Sequence, residues 1–127
     1  MRNILFIFLS GLIILFACSE GNIISDYDIV FPEEDVSYLY HVQPFLKSNC
    51  AFAGCHGNTA AANINMSDYF TMMQVPGLVI PKNPGGSQLI QVLDETMPHS
   101  TRIYRGNITD NQIEGMKTWV EEGALNN

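Results

Sequence analysis

Cys50-Ala51-Phe52-Ala53-Gly54-Cys55-His56 is the stretch on which the reading of this chain turns. Two thiols followed at once by an imidazole can serve three chemistries. The thiols can add to the two vinyl groups of a haem as thioethers while His56 coordinates the iron. They can instead close a Cys50–Cys55 disulfide, with His56 incidental, in an oxidising compartment. Zinc is the weakest of the three. Adjacent Cys55 and His56 rarely both reach one tetrahedral ion, and only His41 and His99 remain as further imidazoles. Haem attachment ordinarily places two residues between the cysteines. Here there are four, so spacing alone leaves haem and disulfide both open. Two small alanines and Gly54 give the enlarged loop room to bulge.

Upstream, Pro32-Glu33-Glu34-Asp35 puts a proline and three acids where a helix N-terminus favours them. A helix from about Asp35 to Ser48 is expected, with Val36, Leu39, Tyr40, Phe45 and Leu46 on its apolar side. Pro44 must kink or restart it, because proline lacks a backbone donor. Downstream, 49–65 is rich in Ala, Asn and Gly and reads as loop. Ser67 is placed to cap a short helix through Met73, stopped by Pro76-Gly77. Leu78-Val79-Ile80-Pro81 reads as extended and Asn83-Pro84-Gly85-Gly86 as turn. Ser87 then opens a short helix whose Leu89, Ile90 and Leu93 share a face. The last helix carries the clearest signals. Thr109 and Gln112 have capping-box spacing, Ile113, Met116, Trp119 and Val120 recur at helical intervals, and Gly123 supplies the stop. No run of alternating strand residues occurs, so the expected class is all-α, short helices joined by long ordered loops.

The chain has 127 residues, 46% of them hydrophobic and 15% charged, which implies a single domain and excludes wholesale disorder. A formal charge of −7 with singly scattered bases excludes nucleic acid as a partner, since phosphate binding needs clustered Lys and Arg. Met1-Arg2-Asn3 precedes an apolar run from Ile4 to Ala17, interrupted only by Ser10 and Gly11. That run is shorter than the roughly 20 apolar residues of a membrane span and reads as a secretory signal. It ends in Leu15-Phe16-Ala17-Cys18, which resembles the lipobox of bacterial lipoproteins and implies lipidation at Cys18. The expected organisation is a signal peptide over 1–17, an acidic tether over 18–34 and a folded domain over 35–127, with Ile29, Val30 and Phe31 able to dock back onto the domain. Removal of 1–17 leaves 110 residues with 13 acids against five Lys and Arg, a charge of −8. A chain of that length supports one modest core, and a bound apolar cofactor would help to fill it.

From Val42 onward the chain resembles small exported bacterial c-type cytochrome domains of the class I fold, those with an extended haem motif among them. The matching pieces keep their order: Val42-Gln43-Pro44-Phe45-Leu46; Cys50 to Gly57; Asn65-Met66-Ser67-Asp68-Tyr69; Pro81-Lys82-Asn83-Pro84 with Ser87-Gln88-Leu89; Met97-Pro98; and Ile113 through Trp119-Val120 to Gly123-Ala124. The resemblance implies one haem c, covalent through Cys50 and Cys55, with His56 and Met97 as axial ligands of the iron. Met66, Met72, Met73 and Met116 compete with Met97. Met73 and Met116 lie on helical apolar faces and read as packing, whereas Met97 sits beside Pro98 in a loop. The chain departs from the family at His99, where a second proline or glycine is usual, and His99 is a minority candidate for the same position.

Iron held from both sides has no open position, so the resemblance implies a one-electron carrier rather than an enzyme, with the haem buried among Phe52, Leu78, Ile80, Leu93, Tyr104 and Trp119. Its acidity implies redox partners with basic or neutral docking surfaces. Lys82, Arg102, Arg105 and Lys117 read as solvated groups, although Arg102 and Arg105 can pair with haem propionates. The alternatives are a haem-free lipoprotein binding module with a Cys50–Cys55 disulfide, and a haem domain with an open sixth position that binds or senses a ligand. Nothing in the sequence resembles a nucleophile with its base, a phosphate-cradling glycine loop or a carboxylate pair.

Overall fold

The computed structural model describes residues 29–59, 63–99 and 108–127. Among these residues every regular element is helical and none is a strand. A π-helical turn spans Tyr38–Val42, followed by α1 (Gln43–Asn49), α2 (Tyr69–Met73), α3 (Gln88–Leu93) and α4 (Asp110–Glu121).

The first helical segment differs from expectation in start and phase. Ser37, not the Pro32 to Asp35 cluster, caps it: its hydroxyl accepts from Tyr40 N–H at 3.3 Å, while Asp35 sits at φ +56° in a bend. Val42 N–H donates to Ser37 O at 3.2 Å, a five-residue step wider than an α-turn. Pro44, at the start of α1, brings no N–H to continue the pattern, and the chain restarts as an α-helix. The wider turn rotates the side chains. Tyr38 and Val42 go inward, whereas Leu39 and Tyr40, expected on the apolar side, are 53% and 74% exposed. Val36, Phe45 and Leu46 are buried as expected.

The later elements follow the sequence closely. α2 starts one residue late because Asp68, rather than Ser67, takes the cap, accepting from Thr71 N–H at 3.0 Å. α3 has Ser87 at its N-cap and buries Leu89, Ile90 and Leu93. The Ser87 hydroxyl serves the turn before it instead of the helix, accepting from Ile80 N–H at 2.8 Å and donating to Asn83 O at 2.9 Å. α4 forms the full capping box between Thr109 and Gln112. Its Met116, Trp119 and Val120 are buried, Ile113 is half-buried, and Gly123 leaves the helix at φ +110°.

The core is closed by the two ends of the described chain. Residues 29–31 run beside α4, held by amide side chains, before the chain bends at 33–35. Asn111 exchanges two hydrogen bonds with the Phe31 backbone at 2.8 and 3.0 Å, and Gln112 Nε2 donates to Ile29 O at 3.0 Å. In an extended segment alternate side chains face opposite ways. Ile29 and Phe31 therefore dock into the core, as the sequence allows, and Val30 is 70% exposed. Phe31 occupies the place where a side chain at Gly115 would stand. The Glu122 carboxylate accepts the backbone N–H groups of Asp35 and Val36, and Asn127 accepts from Tyr38 N–H and Leu39 N–H. Trp119 lies at the centre, its ring 5.9 Å from that of Tyr38, which meets Tyr69 edge-on at 5.0 Å.

Candidate functional site

The cysteine and histidine motif leaves the end of α1 as a chain of tight turns. Cys50 and Ala51 N–H both reach Leu46 O at 2.8 Å and end the helix. Phe52 O then accepts from Cys55 and Gly57 N–H, each at 3.0 Å, and His56 N–H reaches back to Cys50 O at 3.3 Å. The enlarged loop bulges at Gly54, whose φ of +84° suits glycine. Gly57 is buried for a different reason. A Cβ there would stand 2.7 Å from Phe52 O and 2.8 Å from Ala51 O, so only glycine lets the loop close under His56.

His56 is fixed at both its backbone and its ring. Its carbonyl accepts from Met66 N–H at 2.7 Å, and its Nδ1 lies 3.2 Å from Ile64 O. A carbonyl only accepts, so this contact places the imidazole proton on Nδ1 and leaves the Nε2 lone pair for a ligand or metal. A backbone carbonyl behind a metal-binding histidine orients the ring and raises its donor strength. The sequence gives no sign of this partner, since a backbone oxygen has no residue-type signature.

Cys50 and Cys55 are free thiols, each half-buried. Burial pushes the Cys50 thiol up to about 12. Against an ordinary value of 9.0 it holds about a thousandth of the thiolate at pH 8, and the higher intrinsic nucleophilicity of a weaker acid restores only part of that reactivity. Alkylation of Cys50 in the native apo-chain at pH 8 should therefore run some tens of times slower than in the same chain unfolded in urea. Peptide-resolved mass spectrometry reads the ratio, and equal rates would show that the fold does not shield the thiol.

The structure brings a second imidazole to His56: the His99 ring centroid lies 5.8 Å from that of His56, with the planes inclined at 44°. Met97 is two residues earlier on the same loop, half-buried, its N–H bonded to Gln91 O at 3.0 Å beyond the end of α3. Pro98 and His99 are exposed. Of the competing methionines, Met66, Met72 and Met116 are buried in the core and Met73 packs against it. His41 is structural: its Nδ1 accepts from Ser37 N–H at 3.0 Å, and its ring lies 5.8 Å from that of Phe31.

Of the residues expected around a haem, Leu78, Leu93 and Trp119 are buried, Phe52 is half-buried and Ile80 is exposed at the margin, while Tyr104 lies outside the described residues. So do Cys18, Arg102 and Arg105. Lys117 is paired rather than simply solvated, bridging Asp94 at 2.9 Å and Glu114 at 2.8 Å beside an acid-rimmed cleft between α3 and α4.

Among the described residues no three His, Cys, Asp or Glu side chains gather into a metal-ion ligand set. A zinc centre asks the protein for three or four such donors, whereas a haem iron asks for its axial ligands alone. The donors present here, two free thiols and a carbonyl-braced imidazole, suit a covalently attached haem. Among the described residues no helix is long and apolar enough to cross a membrane. Comparison with protein-family models, with curated proteins and with solved structures returned no significant match.

Proposed function

We propose that this chain is a monohaem c-type cytochrome with a class I fold that carries single electrons outside the cytoplasm, tethered to a bacterial envelope membrane through a lipid on Cys18. The observation that carries the reading is His56: an imidazole directly after two free thiols, with Nδ1 held by Ile64 O and Nε2 open to a metal. The haem supplies an iron that alternates between the ferric and ferrous states. Cys50 and Cys55 would hold the group, each adding its sulfur and its hydrogen across one vinyl double bond, so attachment would consume no oxidant.

The chain's own contribution is positional. Gly57 and the turn bonds from Phe52 O hold Cys55 and His56 in one rigid loop, and Ile64 O keeps the ring from rotating. Met97 would supply the second donor to the iron, as the resemblance implies, and a thioether donor would favour the ferrous state. Buried Leu78, Leu93 and Trp119 exclude water from the neighbouring core. The acidic surface, −8 over the processed chain, favours partners with basic or neutral docking faces, and such encounters weaken as salt shortens the screening length to about 8 Å.

Expression in a host able to attach haem tests the proposal. The purified protein should keep its colour on the polypeptide after acid denaturation and extraction with organic solvent, and its mass should exceed the apo-chain by one intact haem. Colour that extracts fully, or a mass equal to the apo-chain less two hydrogens, would establish the disulfide-bonded module instead.

A further inference from the structure

We infer that the Met97-Pro98-His99 loop offers the iron two alternative sixth ligands, His99 in the ferric state and Met97 in the ferrous state. This rests on the haem reading above and concerns what that haem's second axial position does during turnover. An imidazole nitrogen binds a transition metal at roughly 2 Å, so two imidazoles on opposite sides of one ion have ring centres about 6 Å apart. His56 and His99 stand at 5.8 Å. His56 Nδ1 is occupied by Ile64 O, which leaves Nε2 as its donor atom.

Met97 competes from the same loop. One residue separates it from His99, and consecutive Cα atoms are about 3.8 Å apart, so the two Cα atoms lie within roughly 8 Å. The unbranched methionine side chain has three rotatable bonds and can move its sulfur over a similar range. Pro98 between them has a fixed φ, so the two donors swing as a short stiff unit. Met97 N–H stays bound to Gln91 O, which gives that unit an anchor at the end of α3.

Oxidation state decides between them. A thioether favours ferrous iron, and a second imidazole favours ferric iron. When a one-electron donor reduces the ferric centre, the iron to His99 bond breaks with nitrogen keeping its electron pair. The Met97 sulfur then donates its own lone pair to form the new bond. One electron enters, one dative bond replaces another, and no further reactant is needed.

The test uses the wild-type holoprotein, reduced with dithionite and reoxidised with ferricyanide. The ferric form should lack the sulfur-to-iron charge-transfer band, and the ferrous form should show the strongly upfield methionine methyl signal in its proton NMR spectrum. His99→Ala should gain the charge-transfer band in the ferric form and shift the midpoint potential upward. Met97→Ala should lose the ferrous methyl signal with an unchanged ferric spectrum. A wild-type ferric form that shows the band, or a wild-type ferrous form without the methyl signal, overturns the exchange, and neither observation depends on a variant that folds. Holoprotein with either result still supports the cytochrome reading, whereas a chain that takes up no covalent haem overturns both.

Discussion

Gly115→Ala should lower the thermal midpoint of the protein by about 10 °C, although alanine is the better helix former. Inside an exposed helix the change would gain about 1 kcal/mol. At Gly115 the added Cβ would overlap Phe31 Cβ, Cγ and Cδ1 together, and Phe31 is 2% exposed, with Phe45 edge-on at 5.9 Å behind it. Overpacking a filled core costs about 1–3 kcal/mol, occasionally more. Three overlapped atoms on a buried side chain put this site at the top of that range, for a net loss of about 2 kcal/mol. A domain of about 100 residues loses roughly 4–8 °C for each kcal/mol. Circular dichroism melts of wild type, Gly115→Ala, Phe31→Ala and the double variant measure the effect and its origin. The double variant should lose less than the sum of the two single losses, since alanine removes the overlapped Cγ and Cδ1. A midpoint that stays level or rises in Gly115→Ala would mean that Phe31 does not pack against α4 there.

In the proposed haem protein, His56→Ala should change the iron from low-spin to high-spin in essentially every molecule while leaving the covalent colour on the chain. In the proposed holoprotein the thioethers through Cys50 and Cys55 would not depend on the imidazole for their strength, whereas the iron would lose the donor that directly follows them. The variant should bind carbon monoxide readily in the reduced form, whereas wild type with both proposed ligands in place should resist it. Exogenous imidazole at millimolar concentration fits the space left by the ring and should restore the low-spin spectrum, as simple misfolding would not. Retention of the wild-type spectrum without added imidazole would remove His56 from the site.

The sequence made the helix-forming elements legible wherever side-chain identity does the structural work. The Thr109 to Gln112 capping box, the Ser87 start of α3 and the Leu89, Ile90 and Leu93 face were readable because each depends on residue types at fixed spacings. Tyr38 to Val42 was not, because a π-turn inserts one extra residue into the period and exchanges the inward and outward positions of Tyr38, Leu39 and Tyr40. The same division runs through the site. Cys50, Cys55 and His56 announce themselves, whereas the Ile64 carbonyl behind the ring is carried by backbone that any residue could supply. The approach of His99 to His56 closes a separation of 43 positions, which no local pattern encodes. Gly115 was silent for a related reason: its value lies in what another segment places beside it.

The hydrogen bonds that pin residues 29–39 to 111–127 join partners about 80 to 90 positions apart, which sets an order of events during synthesis. The first segment has nothing to settle against until the last has been made. Between His56 and completion of Asn127 the ribosome must add 71 residues, roughly 4–14 s of work at about 5–20 residues per second. Throughout that interval residues 29–39 lack the partners that hold them in the finished fold. The molecule thus closes from its two ends at once, after its middle has been made.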